Sequence, residues 1–87
     1  MPSAINIPLP RMLTPNPFDN FLISTFEEGT AFPIEMTVRS SGGRIVLRER
    51  IFTSKEIIST SELIPGLYHI RLENEHGELL DGHFRKR

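Results

Sequence analysis

From Phe18 onward, apolar and polar residues alternate with period two in short runs, and clusters of Gly, Pro, Asn and Ser break those runs at roughly ten-residue intervals. Alternation sends successive side chains to opposite faces of an extended strand, and no window carries a convincing helical spacing. The pattern therefore predicts an all-β chain. Roughly six to seven short strands separated by turn signals point to an antiparallel, immunoglobulin-like β-sandwich.

The predicted strands follow in order. Phe21 to Phe26 is the first, with apolar groups on both faces, and Glu27 to Thr30 is a loop. Ile34, Met36 and Val38 alternate with Glu35, Thr37 and Arg39, so this strand has one inner face. Ser40-Ser41-Gly42-Gly43 offers a tight reversal with glycine free to take positive φ. In Arg44 to Phe52, Ile45, Leu47 and Ile51 share a face, with Arg48 and Arg50 opposite. Glu49 falls on the apolar face, which calls for a bulge or an edge position there. Lys55 to Ser59 is a short strand, and Pro65-Gly66 reads as the centre of a type II turn. Tyr68, Ile70 and Leu72 alternate with His69, Arg71 and Glu73. Asn74 to Gly77 is a hairpin loop, and Leu80, Gly82 and Phe84 form the inner face of a last strand.

At 87 residues the chain makes one domain. A chain of this size buries only somewhat more than ~60% of its unfolded surface, so the core is thin. The longest apolar runs, Phe21-Leu22-Ile23 and Ile45-Val46-Leu47, fall far short of the ~18 residues of a spanning helix. Net charge is −1, which gives no general attraction to nucleic acid or anionic lipid. The absence of cysteine removes disulfides, thiolate metal sites and thiol nucleophiles. Five of the seven prolines fall at Pro2, Pro8, Pro10, Pro15 and Pro17, so residues 1–12 read as an extended proline-rich linker and residues 13–87 as the domain. Pro8-Leu9-Pro10-Arg11 has the look of a polyproline ligand, but linkers share that composition. Met1 to Leu13 lacks the unbroken apolar stretch of a signal peptide, so the chain is expected to be either cytoplasmic or part of a larger precursor.

No catalytic constellation emerges. His69 and His83 are expected side by side on the polar face of the last hairpin. His76 would sit at its tip, too far away to complete a metal site. Glu27-Glu28 and Glu73/Glu75 lie in loops or on exposed faces, without the burial that tunes a catalytic acid. Nucleophile elbows, phosphate loops and dinucleotide fingerprints are missing. The expectation is a non-enzyme with no cofactor, no metal and no nucleic-acid partner. Taken alone, the basic triplet Arg85-Lys86-Arg87 reads as a solvated tail that blunts a strand edge.

Four motifs in order do carry a resemblance. Leu13-Thr14-Pro15-Asn16-Pro17 resembles the opening Tyr-Pro-Asn-Pro of type IX secretion-system C-terminal sorting domains. Gly43-Arg44-Ile45-Val46-Leu47 looks like their Gly-basic-Val-Val strand. Leu63-Ile64-Pro65-Gly66-Leu67-Tyr68 resembles their Leu-x-x-Gly-x-Tyr turn and strand, and Phe84-Arg85-Lys86-Arg87 resembles their short apolar-basic ending. The departures are Thr14 in place of tyrosine, the bulky Phe18 and the misplaced Glu49.

The resemblance implies an immunoglobulin-like domain at the end of a larger cargo protein. A Sec signal on the parent takes such cargo to the periplasm. The domain is then read by the outer-membrane type IX translocon and removed by a sortase, which can attach the cargo to surface lipopolysaccharide. Its motif residues map onto Pro15, Asn16, Pro17, Gly43, Arg44, Val46, Leu63, Pro65, Gly66, Tyr68, Arg85, Lys86 and Arg87. Pro15 and Pro17 stiffen the entry, Asn16 bonds nearby backbone, and Gly66 serves a positive φ. Tyr68 anchors inward with its hydroxyl on a backbone partner. With the resemblance in view, the terminal triplet becomes the candidate for translocon contact. The competing readings are a generic β-sandwich adhesion or carbohydrate-binding module, which would want exposed aromatic platforms, and a free-standing intracellular protein.

Overall fold

The computed structural model describes residues 12–87. The linker reading of residues 1–11 and the polyproline reading of residues 8–11 lie outside the described residues. Met12 is within them. Its carbonyl accepts the Thr25 N–H at 2.9 Å, and its half-buried side chain packs on the core.

Seven strands form among the described residues: β1 (Leu13–Thr14), β2 (Phe21–Thr25), β3 (Ile34–Ser40), β4 (Ile45–Ile51), β5 (Lys55–Ser59), β6 (Gly66–Asn74) and β7 (Gly77–Lys86). They make an antiparallel three-stranded sheet in the order β1-β2-β5 and an antiparallel four-stranded sheet in the order β4-β3-β6-β7. In immunoglobulin lettering these are A-B-E and C′-C-F-G, the Greek-key order of that sandwich. Short β1 is the one strand that the alternation of the sequence does not announce.

The inner faces are those that period two selects. Leu22 and Ile58 on one sheet meet Ile34, Met36, Val38, Ile70 and Leu72 on the other, all buried. Removing such side chains from water is worth ~1.5–3 kcal/mol each, and Phe18, Phe26, Ile51, Tyr68 and Phe84 extend the same core. The last hairpin turns through Glu75 and His76 between paired Asn74 and Gly77. The Asn74 carboxamide oxygen accepts the His76 N–H at 2.8 Å, an Asx turn that fixes the reversal.

Two local expectations are corrected. In β3–β4 pairing the register shifts between Val38, opposite Leu47, and Arg39, opposite Ile45. The bulge therefore falls at Val46, and Ile45 leaves the core face to sit beside outward Arg39. Glu49 lies opposite Met36 on the inner row, yet it is exposed because β4 is an edge strand. The second correction concerns Pro65-Gly66. The hydrogen-bonded reversal comes earlier, with the Leu63 N–H on the Thr60 carbonyl at 3.0 Å. Gly66 instead opens β6 with φ 154°, far from the value near +80° of a type II turn.

Candidate functional site

The chain folds so that residues distant in sequence meet at one pole of the sandwich. After β1 the backbone leaves the three-stranded sheet and runs alongside the end of β7. The Phe18 N–H donates to the Arg85 carbonyl at 2.8 Å, and the Arg87 N–H donates to the Phe18 carbonyl at 2.9 Å, a parallel bridge between Phe18 and Lys86. Asn16 completes the seam. Its amide nitrogen donates to the His83 carbonyl at 3.2 Å, and its oxygen accepts the Arg85 N–H at 3.0 Å. Pro15 and Pro17 flank it, exposed, each following a cis peptide bond. The sequence expects Asn16 to bond backbone near it in the chain; its partners are instead on the last strand, at His83 and Arg85.

Beneath this seam Phe18 is wholly buried and its ring lies 6.4 Å from that of Tyr68. Tyr68 is buried, and its hydroxyl donates to the Ile64 carbonyl at 2.5 Å. This is the tyrosine corner of immunoglobulin-like domains, formed at the start of the F strand. It ties the β5–β6 connection, with half-buried Leu63 and exposed Pro65, to the core.

The basic triplet does not act as one solvated unit. Arg85 and Arg87 are exposed, but Lys86 is only 6% exposed. Its ammonium donates to the Asp19 carbonyl, donates to the Thr60 carbonyl at 3.0 Å and lies 6.0 Å from the centre of the Phe18 ring. The Thr60 hydroxyl donates to the Asp19 carbonyl at 3.0 Å, so the network is closed. The signal for this was present: continuing Leu80, Gly82 and Phe84 by two more residues reaches Lys86 on the inner face. Asp19 and buried Thr60 were missed because their role is played by backbone carbonyls, which composition does not reveal.

Gly43, with φ 89°, turns the chain into β4, and Arg44 and Val46 are exposed. Val46 lines a groove of about 410 Å³ together with Glu49, Leu63, Ile64 and Tyr68. All four motifs are thus gathered at the same pole, although they span residues 13–87.

His69 and His83 do lie side by side, with ring centres 5.3 Å apart, and His76 is at the hairpin tip. His69 contacts the Asp81 carboxylate through Nε2, and this hydrogen bond holds the Asp81 carboxyl below its ordinary value. Among the described residues no three His, Cys, Asp or Glu side chains converge as metal ligands.

Comparison with curated proteins and with solved structures returned no match. Comparison with protein families matched residues 13–81 to the secretion system C-terminal sorting domain, a span that includes Asn16 and Phe18 on the entry side of the seam, the Tyr68 corner and most of both sheets, and stops before His83 to Arg87 on the other side. With that match over most of its length, the chain belongs to the type IX secretion C-terminal sorting domain family.

Proposed function

We propose that this domain acts as a folded, non-catalytic export label. Residues 13–87 would be read by the outer-membrane type IX translocon after the parent protein has reached the periplasm, and a sortase would then cut within or before residues 1–12. The cargo would lie N-terminal in the same parent chain and finish at the cell surface or outside. The single observation that supports this reading best is the family match over residues 13–81. The convergence of motif residues at one pole agrees with it, since a label read as a shape needs buried residues such as Tyr68 and Lys86 to hold the exposed ones in place.

The experiment is a fusion of the whole chain behind a reporter carrying a Sec signal. In a type IX-competent cell the reporter should reach the surface or medium, and in a translocon-deficient cell it should stay in the periplasm. Periplasmic retention of an intact, folded fusion in the competent cell would refute the proposal.

A further inference from the structure

The outer face of the four-stranded sheet is sorted by charge. One cross-strand row sets Arg50, Glu35 and Glu73 side by side, with Glu78 beyond them. The next row carries Arg48, Thr37, Arg71 and Asp81. The row nearest the pole runs Ile45, Arg39, His69 and His83, and Leu67 pairs with Arg85 beyond it. Acidic groups thus crowd one end and basic groups the other. At the basic end Asp81 is already engaged by His69, and Arg71 is engaged by Glu73 and Glu78. Among the described residues no carboxylate lies within ion-pair distance of Arg39, Arg48 or Arg85. A hollow of about 350 Å³ opens there, lined by Arg39, Ser41, Leu67, His69 and His83.

We propose that this hollow seats an acidic peptide segment of the export machinery, with one carboxylate held by Arg39 beside the His83 ring. This rests on the sorting reading given above. Charge complementarity selects an anion, and a guanidinium offers a carboxylate two parallel donors. The exposed apolar groups beside it, Leu67 and Ile45, suit the flanking side chains of a peptide. A membrane surface fits poorly, because Glu35, Glu73 and Glu78 on the same face would meet anionic headgroups. A glycan fits poorly as well, because no phenyl, phenol or indole ring lines the hollow. Lys86 takes no part, being buried on the opposite face of β7.

The test titrates the ¹⁵N-labelled 87-residue chain with a short peptide of alternating glutamate and valine. Parallel titrations use inorganic phosphate and phosphatidylglycerol vesicles. The peptide should shift the amides of Ser41, His69 and His83, and Arg39→Glu should weaken binding at least ~10-fold. Arg39→Ala, whose unchanged thermal melt shows it folded, should weaken binding less. No shift at this face, or phosphate or vesicles binding it as well as the peptide, overturns the proposal. In cells, the Arg39→Glu/Arg85→Glu fusion should be retained while the unaltered fusion is exported. Equal export of both sinks the docking proposal and leaves the sorting reading standing. Failure of the unaltered fusion sinks the sorting reading itself.

Discussion

Lys86 shows how a single side chain carries two roles that sequence does not separate. Its charge is one of a basic triplet, yet its place is set by alternation, which turns it inward over Phe18. The two carbonyls it bonds each have a second donor, the Thr60 hydroxyl for Asp19 and the Leu63 N–H for Thr60. Losing the ammonium therefore orphans neither acceptor, and burying an ammonium has its own desolvation cost. Lys86→Met, which keeps the stem over the ring, should remain within ~1 kcal/mol of the parent chain. Lys86→Glu aims a desolvated carboxylate at two carbonyl oxygens and should cost ~3 kcal/mol or more. Urea unfolding measures both. If the Met variant falls as far as the Glu variant, the charge itself holds the pole together.

At the scale of elements, β4, β6 and their connections decide what alternation alone cannot. The inner faces of β3 and β6 were legible because both strands are internal to their sheet and keep strict period two. β4 departs from its alternation because one unpaired residue, Val46, reverses the facing of Ile45 before it, and no residue type announces such a slip. Pro65-Gly66 is a dipeptide that favours a turn, but here Gly66 starts a strand. A Cβ at Gly66 would meet no atom within 4 Å, so the constraint is backbone φ and not space. Gly66→Val should cost ~1–3 kcal/mol, visible as a lower urea midpoint at unchanged slope. An unchanged midpoint would show that β6 relaxes freely at its start. The β4–β5 connection holds a different device. The Glu56 carboxylate accepts the Phe52 N–H at 2.7 Å, the Thr53 N–H at 2.9 Å and the Thr53 hydroxyl at 3.1 Å. The Phe52 bond foremost holds its carboxyl below the ordinary 4.5. A depressed carboxyl contributes stability above its unfolded value, and that stability is lost as pH falls through the folded value. Glu56→Gln should thus cost stability at pH 7 and lose less than the parent on acidification below about pH 4.5. Parallel melting curves for the two chains across that range would disprove the assignment.

For the whole molecule, the consequential fact is that the entry segment and the terminal strand close one seam across a separation of 69 residues, from Asn16 to Arg85. A pairing made on the edge of a sheet ordinarily frays, with opening energies far below global unfolding. Here the seam is backed from inside. Phe18 is fully buried, Lys86 is bonded across to the β5–β6 connection, and Tyr68 is pinned to Ile64 beneath them. Opening the seam exposes Phe18 and the Lys86 network together, a loss of several interactions each of order ~1–3 kcal/mol. A domain of this size has only ~5–10 kcal/mol in all, so local opening and global unfolding should nearly coincide. The amides of Phe18, Arg85 and Arg87 should then exchange with solvent deuterium with opening energies within ~1 kcal/mol of Ile70 in the core. Asn16→Ala, which removes the outer two bonds and leaves Phe18 buried, should lower the Arg85 value first while Ile70 follows only the global loss. Fast exchange at Phe18 and Arg87 in the parent chain would mean the seam opens on its own. The label would then be read from a frayed end instead of from a closed sandwich.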